Sequence, residues 1–113
     1  MAVIMISDIP GGTPEMMEGM QQAGVIDLLR NAPGFRGHWS GPMGSAYRVI
    51  EVWNSADDWR AWYNGTVAPN MPPGVTAEEP TFLDLTMTVE PARTAIPEPS
   101  RAAPAESRPP VTT

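Results

Sequence analysis

The stretch AYRVIEVWNSADDWRAWY, Ala46 to Tyr63, joins an alternating strand to a capped aromatic helix. Strand side chains alternate sides with period two, so Tyr47, Val49, Glu51 and Trp53 share one face and Arg48, Ile50 and Val52 the other. A face that mixes polar and aromatic groups points to a lined cavity. Asn54 and Ser55 then break the alternation. Ser55 with Asp58 forms an approximate capping box, and Asp57 and Asp58 suit the positive helix end, which predicts a helix from about Ala56.

Upstream, residues 2–9 are a short Val- and Ile-rich run closed by Pro10 and two glycines, read as a largely buried first strand. Thr13, Pro14 and Glu15 open a helix predicted over about 14–30, with Met16, Met17, Met20, Ala23 and Leu28 as its apolar stripe and a break near Gly24. Asn31, Pro33 and Gly34 stop it. From Phe35 to Gly41 alternation returns, and the turn cluster GPMGS at 41–45 makes a hairpin with the Ala46 strand. Centring the pairing between Met43 and Gly44 sets His38 across from Val49, Arg36 across from Glu51 and Phe35 across from Val52. Arg36, His38, Ser40, Tyr47, Val49, Glu51 and Trp53 then share one face, leaving Phe35, Trp39, Ile50 and Val52 for the core.

Downstream, the second helix is predicted over about 56–65, with Trp59 and Trp62 as core residues. The segment from Gly65 to Pro80 contains four prolines and is read as a loop reaching over a cavity mouth. Thr81 to Val89 alternates cleanly as a last strand, giving the order βαββαβ.

The chain has 113 residues, one domain's worth, and is 42% hydrophobic. From Pro91 it carries six prolines and no aromatic residue, so 91–113 is read as a Pro-rich disordered tail and 1–90 as the domain. Residues 1–90 hold 11 acidic side chains against 4 Arg, and the whole chain has no Lys, which excludes a phosphate-binding surface and hence nucleic acid as a partner. Without Lys there is no lysine Schiff base. Without Cys there is no thiol nucleophile, disulfide framework or Cys-based zinc site. No ligand spacing surrounds the lone His38, so no metal site is expected. The Gly11-Gly12-Thr13 segment lacks a phosphate-loop Lys and reads as a turn and cap. With neither a signal peptide nor a membrane-length apolar run, the expectation is a soluble cytoplasmic protein.

Two strand–helix–strand units in this order make an α+β, ferredoxin-like βαββαβ fold: a four-stranded antiparallel sheet with two helices on one face. The other face stays uncovered. With His38, Tyr47, Trp53 and Phe82 assigned to it, a second copy is the expected cover, and the chain is read as a homodimer.

Residues 2–90 resemble the dimeric α/β barrel superfamily, particularly the antibiotic biosynthesis monooxygenase type. The resemblance rests on the βαββαβ order and on VIEVWNSADDWRAWY, Val49 to Tyr63, with its acidic residue, aromatic and Ser-opened helix. It implies a small enzyme acting on a hydrophobic, aromatic or polyketide-like molecule, by cofactor-independent monooxygenation begun by proton abstraction. The superfamily also includes polyketide cyclases, isomerases and proteins without known activity, so a cyclase or isomerase, or a non-catalytic ligand-binding dimer, stands as the alternative. Trp53 matches the cavity Trp of the haem-degrading branch, but the second helix lacks that branch's His, and the first strand offers Ser7 and Asp8 in place of its Asn. The oxygenase branch is matched through Asn54, Trp53, Tyr47 and Arg36.

The residues supply chemistry for such a reaction. His38 is the only imidazole, the side chain that exchanges a proton near neutral pH. Glu51 or Asp84 would orient it, and Arg36 would balance the developing negative oxygen unless it merely pairs with Glu51 across the strands. Tyr47 and Trp53 would stack a flat substrate, with Asn54 and Asp84 as further contacts. Asp8, beside the Pro-Gly-Gly turn, is read as a turn residue. No bound cofactor is required by this scheme.

Overall fold

A computed structural model of the chain describes residues 1–92. Beyond Ala92 the expected tail lies outside the described residues. The elements are β1 (Val3–Pro10), α1 (Pro14–Gln22), α2 (Val25–Arg30), β2 (Phe35–Met43), β3 (Ala46–Trp53), α3 (Ala56–Trp62), a π-helical turn (Tyr63–Val67), a single turn α4 (Ala68–Asn70) and β4 (Thr81–Asp84). The strands form one antiparallel sheet in the order β2-β3-β1-β4.

Local chemistry explains the boundaries. The Thr13 hydroxyl accepts the Met16 N–H at 3.2 Å to open α1, and the Ser55 hydroxyl accepts the Asp58 N–H at 3.1 Å to open α3. Gly24 sits at φ 85°, a left-handed conformation that splits the predicted long helix into α1 and α2. The split also resets the helix phase, so Leu29 is buried whereas Leu28, expected on the apolar stripe, is 56% exposed. β4 stops at Asp84 rather than Val89 because its partner runs out. Asp84 pairs with Val3 at the start of β1, and one further bond, from the Leu85 N–H to the Ala2 carbonyl, closes the ladder.

The hairpin differs from the expected register by two residues. Gly44 and Ser45 form a two-residue turn, so His38 lies across from Glu51 and Ser40 across from Val49. A shift of two preserves faces, but a bulge at Arg36 then brings Phe35 opposite Trp53, onto the same face as Glu51.

The faces themselves are the reverse of expectation. Val3, Met5, Ile9, Tyr47, Val49 and Trp53 are buried with Leu29 of α2 and Trp59 of α3, so the Tyr47–Trp53 face is the helix-covered core. Trp39, expected in the core, is 61% exposed on the open face, which it shares with half-buried Ile4, Ile6, Ile50 and Val52. Both faces carry enough apolar surface to be core. The helices take the one bearing the large aromatics, where Phe35 and Trp62 pack on Trp53 with ring centroids 5.4 and 6.4 Å away.

Candidate active site

Between the sheet and the helices lies an open-mouthed cavity enclosing about 610 Å³ of empty space, the solvent at its mouth included. Met5, Ser7, Val49, Glu51 and His38 form its floor on the sheet. Met17, Met20, Leu29 and Trp59 line the helix side. Val67, Met71 and Ala77 of the Pro-rich segment cover it, as the sequence led one to expect. Unbranched thioether side chains accommodate varied shapes, so the wall suits a bulky apolar guest.

The cover is fastened at its far end. The Glu78 N–H donates to the Asp8 carbonyl at 2.8 Å, and the Ser7 hydroxyl donates to the Glu78 carbonyl at 2.9 Å. Arg60 reaches Glu79 at 3.2 Å while its guanidinium lies over the Trp59 and Phe82 rings.

One polar chain crosses this apolar interior. The Glu51 side chain is 6% exposed, and its Oε1 accepts the Trp53 indole N–H at 2.9 Å. Its Oε2 meets His38 Nδ1 at 2.7 Å, and His38 Nε2 meets Ser40 Oγ at 2.8 Å. Ser40 Oγ in turn lies 3.4 Å from the Tyr47 hydroxyl. A carboxylate oxygen accepts, so Nδ1 donates to Glu51, and in the neutral imidazole Nε2 then presents its lone pair to Ser40. That is the tautomer a general base needs.

The expected site residues therefore divide. His38, Glu51, Trp53 and Tyr47 are brought together, with Glu51 rather than Asp84 orienting the imidazole. Trp53 is fully buried and holds Glu51, so it offers no free face for stacking. Arg36 is exposed on the bulge, and the cross-strand partner of Glu51 is His38, not Arg36. Asn54 and Asp84 are exposed and absent from the cavity wall; Asn54 contributes its backbone N–H to the Gly34 carbonyl at 2.8 Å. The hollow also lies under the helices within one protomer, not between the open faces of two.

Asp8 is not a turn residue. It pairs with Arg48 at 2.8 and 2.9 Å on the open face, and those hydrogen bonds hold its carboxyl below the ordinary aspartate range. Sequence reading missed the cavity methionines Met5 and Met71 and any role for Ser40. Met17 and Met20 were visible in the α1 stripe, but a serine two residues after a histidine carries no signal until the ring orientation is known. Among the described residues no group of three or more His, Asp or Glu side chains is arranged to hold a metal, and no helix is long and apolar enough to cross a membrane.

No family model matches the chain, and no curated protein sequence matches it. Solved structures do. SnoaB of Streptomyces nogalater, a cofactor-independent oxygenase, superposes with a TM-score of 0.58 at 21% identity, over 78% of this chain and 96% of that one. MhuD of Mycobacterium tuberculosis, a heme-degrader, superposes at 0.52 with 23% identity, over 78% and 99%. The chain has their fold. The same ferredoxin-like fold recurs in the ActVA-Orf6 monooxygenase of Streptomyces coelicolor, at a TM-score of 0.50 and 16% identity over 80% and 92%. At these identities the likeness establishes architecture, and the reaction has to be argued from the site.

Proposed function

We propose that residues 1–90 form the protomer of a homodimeric enzyme that binds a flat hydrophobic molecule, aromatic or polyketide-like, and oxygenates it without a bound cofactor. The observation that carries this reading is the Glu51–His38 pair set into the wall of an otherwise apolar cavity. His38 takes a proton from a phenol or an acidic carbon of the guest. The imidazolium formed, held by Glu51, balances the new anion, a role that passes from Arg36 to the base itself. The electron-rich anion reduces dioxygen and captures it as a hydroperoxide. Loss of water then leaves one oxygen atom on the product. SnoaB, a cofactor-independent oxygenase with the same fold, supports this choice of reaction.

The homodimer draws its support from the open face, where Trp39 is 61% exposed and Leu83 48% exposed beside Ile4, Ile50 and Val52. Such a patch favours burial against a second copy.

The test incubates the full chain with a panel of tricyclic phenols and anthrones, following oxygen uptake and product mass, alongside His38→Ala and Glu51→Gln. Oxygen uptake and a gain of one oxygen atom in the product, both falling by a factor of about 100 or more in His38→Ala, is the expected result. Equal turnover by wild type and His38→Ala refutes it. Rearranged product without oxygen uptake identifies a cyclase or isomerase, and tight binding without product identifies a ligand carrier.

A further inference from the structure

We infer that Ser40 is a nucleophile: Glu51, His38 and Ser40 form an acid–imidazole–hydroxyl triad at the cavity rim, suited to hydrolysing esters or thioesters of apolar acyl groups. The inference shares its imidazole with the oxygenase reading but does not depend on oxygen chemistry.

Three observations converge. The distances are those of an activated hydroxyl: 2.8 Å from Ser40 Oγ to His38 Nε2, and 2.7 Å from Nδ1 to the Glu51 carboxylate, itself fixed at 2.9 Å by the Trp53 indole. A nucleophile within reach of a base that a third group orients is the general signature of nucleophilic catalysis, independent of fold or chain order. Secondly, Ser40 is exposed, whereas His38 lines the cavity. An acyl carbon at Oγ is therefore open to solvent, and the cavity begins at the His38 ring beside it.

Thirdly, the backbone supplies a donor for the oxyanion. β2 is an edge strand, and the two-residue turn at Gly44-Ser45 makes Met43 and Ala46 a hydrogen-bonded pair. Antiparallel pairs alternate, so the Pro42–Tyr47, Ser40–Val49 and His38–Glu51 pairs are the non-hydrogen-bonded ones. Pro42, which has no N–H, falls in that set as it must. The Ser40 N–H consequently points away from β3 at the edge of the sheet. In serine proteases the nucleophile's own N–H is one of the two oxyanion donors.

The reaction balances without an added oxidant or reductant. Ser40 Oγ bonds to the acyl carbon as its proton passes to Nε2. The ester C–O or thioester C–S bond breaks, and the leaving group departs with that proton. Water then adds to the acyl carbon, its proton goes to Nε2, and Oγ leaves carrying it. One ester and one water give one acid and one alcohol or thiol.

The test treats the full chain, under nitrogen, with an alkyl fluorophosphonate and with p-nitrophenyl hexanoate. The expected result is a single phosphonyl adduct, mapped to Ser40 by peptide mass, with fluoride released. The same chain should release p-nitrophenol. Ser40→Ala should lose both signals, and Glu51→Gln should slow labelling by about 100-fold or more, with circular dichroism confirming that each variant is folded. Because Ser40 is exposed, its truncation spares the core. A folded wild type without a Ser40 adduct, or Ser40 labelling as fast in Glu51→Gln as in wild type, overturns the proposal. Working without oxygen keeps this outcome separate from the fate of the oxygenase reading.

Discussion

Trp53→Phe tests whether the buried indole serves the polar chain or only the packing. Trp53 is fully buried, and its N–H donates to a carboxylate that is itself 6% exposed. Removing the donor leaves Glu51 Oε1 without its partner, a loss of about 1.5–3 kcal/mol for a hydrogen bond to a charged group. Shrinking the indole to a phenyl ring beneath Phe35 and Trp62 adds about 1–2 kcal/mol of lost burial and cavity. The expected cost is therefore about 2.5–5 kcal/mol, against a net stability of about 5–15 kcal/mol for an ordinary domain.

Urea unfolding followed by far-ultraviolet circular dichroism measures it. The discriminating experiment repeats the substitution in a Glu51→Met background, where the hydrogen bond no longer exists. There Trp53→Phe should cost only the packing share, about 1–2 kcal/mol or less, giving a coupling of about 1.5–3 kcal/mol between the two sites. Costs in the two backgrounds that agree within about 0.5 kcal/mol would refute the assignment of Trp53 as the anchor of Glu51.

Gly34→Ala and Gly19→Ala should move stability in opposite directions. Gly34 has φ 83°, and a Cβ there would collide with the Asp58 side chain, so the cost is at least about 1–2 kcal/mol; Gly19 is helical with open space around it, so Ala should add about 0.5–1 kcal/mol. Both are read from urea midpoints. Because Arg48 holds the Asp8 carboxyl below its ordinary range, the folded chain binds that proton more weakly than the unfolded chain. The pair's contribution is thus complete above the ordinary aspartate range and is lost as pH falls through the folded value. Melting temperatures of wild type and Asp8→Asn should converge as pH is lowered from about 7 to about 2; a constant gap contradicts the linkage. In the proposed homodimer, Trp39→Glu, on the open face, should shift sedimentation from dimer to monomer while leaving the protomer folded. Arg36→Ala should change ligand affinity less than about two-fold, an energy of about 0.4 kcal/mol, since Arg36 stands outside the cavity.

Period-two and helical patterns exposed the element order because they depend only on neighbours in sequence. Ser55 before Asp58, and Gly24 inside an apolar stripe, marked a helix start and a break for the same local reason. The partition of β3 into two faces was equally legible. Which face the helices cover was not, because Ile50 and Val52 look as suitable for a core as Val49 and Trp53, and the choice is made by α2 and α3 arriving from elsewhere in the chain. The turn residues left a two-residue ambiguity in register, which is silent for faces but decides partners: it replaced Arg36 by His38 opposite Glu51. The bulge at Arg36 has no sequence mark at all.

That exchange of partners changes what Glu51 means. A surface Arg–Glu pair would be nearly neutral for stability and would call for no explanation. A carboxylate buried in the helix-covered core is another matter, because desolvation is offset only by the bonds it makes. Glu51 finds two such bonds, one from Trp53 and one from His38, and its two oxygens are thereby both engaged. A sequence selected only to fill this core would place an apolar residue at position 51, as it does at Val49 and Met5 beside it. The polar chain is a local departure from the packing rule, and such departures concentrate where a protein does chemistry. The cavity against which it opens gives that departure a use, and the triple variant His38→Leu, Glu51→Met, Trp53→Phe separates the two accounts: it should fold at least as stably as wild type while losing oxygen uptake and Ser40 labelling together.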